Sequence, residues 1–226
     1  MQPRSAEERR QDLVELYREA SGCIRCPLHQ GRTNVVFGSG NADADLMFVG
    51  EAPGMHEDLQ GHPFVGRAGK LLDQLLEEVG LQRSDVFITN VLLCRPPGNR
   101  HPQPDEIDTC KPYLHRKIEL IEPKVICTLG NFATKLLTRS QRGITSVHGR
   151  AQVHELGGRT VRVYPLYHPA AALRSTNTLA ELREDLGRLR ALLEEPAPVP
   201  VGAVAPVAAM VAATEPEPAP QIGLFD

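Results

Sequence analysis

Four short apolar runs recur along this chain, with helical patterns between them, and that alternation leaves few folds open. The runs are Asp45–Val49, Val86–Thr89, Lys124–Leu129 and Val163–Leu166. Each is nearly continuous in apolar residues, as expected of a strand covered on both faces. Between the first two, residues Ala68 to Val79 put Leu71, Leu72, Leu75, Leu76 and Val79 inward, and Gly80 stops the helix. Helical stretches are also expected near Asp105, around Phe132 to Leu137, and through Leu179, Leu182, Leu186, Leu189 and Leu193. A first helix, Ala6 to Ala20, carries Leu13, Leu16, Tyr17 and Ala20 on one face and ends at Ser21-Gly22. Two long loops, Glu51 to Gly66 and Asn90 to Pro104, and a hairpin-like region, Val147 to Arg162, complete the pattern. Strands alternating with helices imply an α/β fold with a parallel sheet covered on both faces.

The chain has 226 residues, enough for one such domain, taken here as 1–195. From Pro196 the composition turns to Pro, Ala and Val without a helical or strand period, so 196–226 is expected to be a disordered tail. The net charge of −3 is carried by that tail, through Glu215, Glu217 and Asp226, which leaves a neutral body. A neutral body gives no compositional support for nucleic-acid binding, although it leaves room for a basic groove. No run approaches the ~20 apolar residues of a membrane span. Met1 to Arg10 is polar and does not read as a signal peptide, so a cytoplasmic protein is expected.

The five cysteines are Cys23, Cys26, Cys94, Cys110 and Cys127. In a cytoplasmic chain, metal ligation is a better expectation than disulfides. Cys23 and Cys26 form a C-x-x-C knuckle beside a helix end. Cys94 and Cys110 come from two further segments, which differs from the paired knuckles of a zinc ribbon. Four thiolates from three segments suit a cubane cluster, with zinc left open at this point. Cys127 lies inside an apolar run and reads as a core thiol.

Ligand sites of open parallel sheets form at the carboxyl ends of the strands. Three loops occupy such ends: Gly50-Glu51-Ala52-Pro53-Gly54 continuing to Gly66, Asn90 to Arg100, and His168 to Arg174. Singly, Glu51, Asn90 and His168 have ordinary explanations as a cap, a turn residue and a surface histidine. Together they bring a carboxylate, an amide, the Phe64 ring and an imidazole to one rim. That set can grip a planar base by its edge and face and can donate to an oxygen that becomes anionic.

The motifs G-E-A-P-G, E-D, G-H-P-F-V-G-R-A-G, T-N-V-L-L-C-R-P-P-G-N-R and Y-H-P-A-A-A-L-R resemble those of the family 4 uracil-DNA glycosylases, in order, from Cys23 to Arg174. The resemblance implies a three-layer α/β/α sandwich around a four-stranded parallel sheet, and a monomeric DNA-repair enzyme at the nucleoid. Its substrate would be uracil in single- or double-stranded DNA, its products free uracil and an abasic site. It implies that Phe64 stacks on a flipped uracil, that Asn90 bonds N3–H and O4, and that His168 donates to O2. Glu51 would hold the water or stabilise the cationic sugar, with Asn99 as a further catalytic residue. Ala52 would line the base site, where related families carry Asp, and Glu57 would fill the space beside C5. Leu173 and Arg174 would supply a wedge and a phosphate contact. Cys23, Cys26, Cys94 and Cys110 coincide with the family's [4Fe–4S] positions.

Two other classes compete with an enzyme. A related clade traps uracil-DNA covalently through a histidine in a basic insertion; this chain lacks the insertion but has His101. A cluster-bearing electron carrier would not need Phe64, Asn90 and His168 together. Finally, Gln221-Ile222-Gly223-Leu224-Phe225 resembles the short peptides that dock on the bacterial sliding clamp, with the Pro/Ala stretch as tether.

Overall fold

The computed structural model describes residues 4–198, so the tail and its terminal peptide lie outside the described residues. In chain order the elements are α1 (Ala6–Ser21), β1 (Ser39–Gly40), β2 (Leu46–Gly50), α2 (Met55–Gln60), α3 (Arg67–Glu78), β3 (Phe87–Asn90), α4 (Pro104–Ile121), β4 (Val125–Leu129), α5 (Asn131–Thr138), α6 (Ile144–Val147), β5 (Gln152–Leu156), β6 (Arg159–Leu166), α7 (Pro169–Ala172), α8 (Thr176–Gly187) and α9 (Leu189–Glu194). The sheet runs β1-β3-β2-β4-β6-β5. Its four central strands are parallel, as expected, and each edge adds one antiparallel strand. The sheet is thus six-stranded and mixed around the expected parallel centre.

The period of two along each strand divides the apolar residues between two cores. Met47 and Val49 of β2 and Ile126 of β4 face one layer, with Leu13 of α1, Leu114 and Ile118 of α4, and Ala133 of α5. Leu46, Phe48, Val125 and Cys127 face the other, with Leu72 and Leu76 of α3, Leu182 and Leu186 of α8, and Leu189 of α9. That is the three-layer sandwich. No helix among the described residues is long and apolar enough to cross a membrane.

Three expectations need correction. The loop from Glu51 to Gly66 contains α2, a short helix whose buried residue is Asp58, which accepts the Thr33 backbone N–H at 2.9 Å. The last helix is broken into α8 and α9 at Arg188, although its leucine spacing runs on across the break. The hairpin region is β5 and the first half of a longer β6, turned at Gly157-Gly158.

The chain order places a reversal between β2 and β4. The connection from β2 leads to β3 on one side, and the next crossover returns to β4 on the other. A crevice opens at the carboxyl ends of the strands at such a point. The approach of α3 to the preceding loop is set by Gly69, where a Cβ would lie 1.7 Å from the Phe64 carbonyl oxygen. Gly69→Ala is therefore expected to lower the stability by about 1–3 kcal/mol or more, measured as a fall in the urea midpoint at unchanged slope. An unchanged midpoint would show that this contact is not close.

Candidate active site

Asn90 is the last residue of β3 and stands opposite Gly50, the last of β2. Glu51 follows Gly50, and His168 follows β6 by two residues. Glu51, Asn90 and His168 line one cleft of ≈ 590 Å³ together with Ala52, Glu57, Phe64 and Asn99. Arg174 also lines it. Leu173 does not; it is 40% exposed at the end of α7. Sequence reading therefore names eight of the cleft's lining residues (Glu51, Ala52, Glu57, Phe64, Asn90, Asn99, His168 and Arg174), with Leu173 outside it. A larger concavity of ≈ 890 Å³ near α1, α4 and the β5–β6 turn is walled by mutually paired charges such as Arg9–Glu122, Arg116–Glu119 and Arg159–Glu122. Its polar groups are largely satisfied by one another.

Asn90 is 2% exposed, and its side-chain amide makes no hydrogen bond to protein among the described residues. The amide opens onto the cleft, so its donor and acceptor are available to a ligand. Lys117 braces it from behind: its fully buried Nζ donates to the Thr89 hydroxyl at 2.6 Å and the Phe37 carbonyl at 2.7 Å. Burial pushes the Lys117 ammonium down to about 7. A lone lysine on the apolar face of a helix, among Tyr113, Leu114 and Ile118, was the one signal for it in the sequence.

Phe64 is buried, with a left-handed backbone at φ 53°. The Arg83 guanidinium holds this unfavoured turn by bonding the Pro63 and Phe64 carbonyls and Asp73. The Phe64 and His168 rings lie 5.6 Å apart, tilted by 30°. Glu57 turns inward and one of its carboxylate oxygens accepts the backbone N–H groups of Val65 and Gly66, both at 3.1 Å, so it shapes the same loop.

His168 caps α7: its Nδ1 accepts the Ala170 N–H at 3.0 Å. That bond assigns the proton to Nε2. Burial drives the imidazole from the usual 6.5 down to about 4, against the pull of Glu57. At neutral pH His168 is thus an uncharged donor.

One ion pair and two hydrogen bonds hold the far wall. Arg100 makes a bidentate pair with the buried Glu106 at 2.6 and 2.9 Å, and the guanidinium keeps that carboxyl below its ordinary range. Asn99, at φ 55°, accepts from Arg95 Nε at 2.7 Å. His101 Nδ1 lies 2.6 Å from Glu51 Oε1. Fifty residues separate that pair, and nothing in the sequence announced it.

Residues 37–190 match the profile of the Uracil DNA glycosylase superfamily. The chain is 48% identical over 189 residues to a type-4 uracil-DNA glycosylase of Sulfurisphaera tokodaii, covering 81% of this chain and 86% of that one. It is 45% identical over 183 residues to the type-4 enzyme of Archaeoglobus fulgidus, covering 79% and 92%. The corresponding figures for the type-4 enzyme of Thermotoga maritima are 44% over 192 residues, 82% and 97%. The chain belongs to the type-4 uracil-DNA glycosylases.

In this type-4 glycosylase four cysteines gather in one core and the fifth stands apart. Cys23, Cys26, Cys94 and Cys110 join the layer of α1 and α4, whereas Cys127 is fully buried in the opposite layer. The four are near enough for Cys26 to feel Cys23, for Cys94 to feel both, and for Cys110 to feel Cys94 and Cys26. Burial pushes Cys110 up to about 11. Burial also opposes ionisation of Cys23, but hydrogen bonds from Arg25 and Tyr113 outweigh it and hold that thiol low. The Leu93 N–H and the Arg32 guanidinium each donate to sulfur at 3.4 Å, to Cys110 and Cys94. No three His, Cys, Asp or Glu side chains among the described residues are drawn tightly enough to hold a single metal ion. Four thiols drawn from three chain segments into one core layer are the kind of donor set that a [4Fe–4S] cluster would take.

The neutral His168 has a consequence for pH. Its pKa is depressed on folding, so between about 6.5 and 4 the unfolded chain binds the proton that the folded chain refuses. This group's contribution to stability is complete above 6.5 and is lost as pH falls towards 4. Nitrogen NMR of the imidazole should show Nε2–H at neutral pH and a midpoint near 4. A midpoint near 6.5 would contradict the buried, singly protonated state.

Proposed function

We propose that this chain removes uracil from DNA by hydrolysing its N-glycosidic bond, leaving an abasic site. The observation that carries the proposal is the convergence of an unpaired buried amide, an aromatic face and a neutral imidazole donor on one cleft at the strand ends. In the proposed complex the flipped base lies against Phe64. The Asn90 amide accepts from N3–H and donates to O4, a pattern that cytosine reverses. Glu57 and its loop fill the space beside C5, against a thymine methyl, and Ala52 completes the wall. Glu51, set by His101, orients water towards C1′, and Asn99 stands beside that path. As the N1–C1′ bond breaks, its electron pair passes into the uracil ring, largely onto O2. His168 Nε2–H donates there. The water oxygen bonds C1′, and its proton leaves through Glu51, finally to the uracil. Arg174 meets a phosphate, and the exposed Leu173 fills the gap in the stack. Cys23, Cys26, Cys94 and Cys110 hold a [4Fe–4S] cluster whose contribution is to cross-link α1, the Cys94 loop and α4.

The test is incubation of the purified protein with an oligonucleotide containing uracil. Free uracil should appear, and the strand should break only after alkali. Single-turnover excision should fall by about 10²–10³ in His168→Ala, as for the loss of one preorganised donor. No uracil release would end the proposal. A second reading has one observation in its favour, since His101 lines the cleft with an exposed ring. A histidine there could trap the sugar, and a complex resisting denaturation would mark that outcome.

The protein should be brown and contain iron. Substituting Cys23, Cys26, Cys94 or Cys110 by Ser should abolish the colour, and Cys127→Ser should keep it. Zinc without iron would overturn the cluster assignment.

The clamp proposal concerns Gln221–Phe225, outside the described residues, with 196–220 as tether to a monomeric catalytic domain working at the nucleoid. Deleting 221–226 should abolish binding to the sliding clamp, measured by calorimetry at tens of micromolar, and leave excision from free oligonucleotides intact. Peptide docking of this kind is expected at about 10⁻⁶–10⁻⁵ M. No heat from the full-length chain would remove the proposal.

A further inference from the structure

A second cleft, of ≈ 630 Å³, adjoins the first and shares Glu51, His101 and His168 with it. Its remaining wall is mainly apolar, with Ile107 of α4, Leu129 at the end of β4, and Phe132 and Leu136 of α5. The His101 and Phe132 rings are nearly parallel, 8° apart in plane, with centroids 6.4 Å apart. Phe132 is half-buried and packs on the sheet core, so its ring is held by more than the cleft. Lys135, one turn along α5, lines the same cleft, and its ammonium makes no hydrogen bond or ion pair among the described residues. Neither the uracil contacts nor the cluster uses any of these α5 side chains.

We propose that this second cleft holds the nucleobase next to the uracil on the same strand, against the Phe132 ring, with Lys135 on its phosphate. The proposal rests on uracil in DNA being the substrate of the first cleft. Three features favour a nucleotide over another occupant. The two clefts adjoin across a common wall of Glu51, His101 and His168, so a strand with its uracil in the first runs close to the second. The wall offers flat aromatic faces, which accept any base by stacking. Among the lining residues of this cleft, Lys135 is a cation with no partner among the described residues, which suits phosphate, while the Glu51 carboxylate on the far side is engaged by His101. Such a subsite needs a neighbouring base that has left its own stack. It therefore favours single-stranded or locally opened DNA.

Single-turnover excision and binding are compared for oligonucleotides in which the nucleotide before or after the uracil lacks its base. In the wild type, removing the base on one side should weaken binding about five- to hundredfold, the worth of one base–aromatic stack. Removing it on the other side should matter little. Phe132→Ala should bind the intact strand as weakly as the wild type binds the sensitive abasic-flank strand, and should not distinguish the two. Lys135→Ala should weaken both strands and flatten the salt dependence. Because Phe132→Ala could unfold, a second measurement uses the wild type alone. With 2-aminopurine beside a 2′-fluorinated deoxyuridine that resists excision, emission should be quenched on binding at one flank only. Equal indifference to both flanks, or bright emission at both, would overturn the subsite while uracil release from ordinary strands continued. Failure of the underlying function would instead show as no release from any strand.

Discussion

Gly50 stands opposite Asn90 in the register of two parallel strands, and a methyl group at Gly50 would lie 2.3 Å from the Asn90 amide oxygen and 2.8 Å from the Phe64 ring. Three chain segments meet there with only hydrogen between them. The rest of the site follows from that crowding. Asn90 is buried at the end of β3, and its amide, which makes no hydrogen bond to protein among the described residues, faces the cleft. Phe64 adopts a left-handed turn to cover the same point, and Arg83, Glu57 and Gly69 support that turn. A polar group held this way is fixed in direction and faces the cleft, and a base edge with the matching donors and acceptors pairs with it at little reorganisation cost.

The second constraint is electrostatic. One backbone N–H, from Ala170, fixes the tautomer of His168, and burial keeps the ring neutral. A charged imidazolium would bind an anion more strongly, but a neutral donor needs no proton from solvent and leaves Glu57 free to hold the Val65 and Gly66 N–H groups. The far wall is organised the opposite way, by the Arg100–Glu106 ion pair and the exposed hydrogen bonds Arg95–Asn99 and His101–Glu51. Exposed pairs are individually weak. The buried Glu106 at the foot of that wall gives the pair with Arg100 more weight, and the four-cysteine core lies behind it.

The parallel sheet was legible because strands buried on both faces must be apolar throughout. Each of the four runs lies within one or two residues of a central strand, apart from β6, which begins earlier. What escaped the pattern was short or polar. β1 has two residues, α2 has six with a buried aspartate, and β5 carries Gln152, His154 and Glu155 on an edge. The break at Arg188 was hidden because the leucine period continues through it. In the cleft, residues on strand ends were legible from composition and motif, since the fold brings strand ends together. The pairs Glu51–His101, Arg100–Glu106 and Lys117–Thr89 were not, because only the folded path makes them neighbours. Leu173 lies outside the cleft lining for a related reason: α7 is a single turn, and consecutive residues at its end point in different directions.

The central claim is that Asn90 and His168 together recognise one base, and free uracil binding tests it most directly. Proton–nitrogen spectra of the protein titrated with uracil should shift two signals above all, the Asn90 side-chain amide and the His168 Nε2–H, and cytosine at the same concentration should shift neither. Uracil binding that leaves both signals in place, or an equal response to cytosine, would contradict the account.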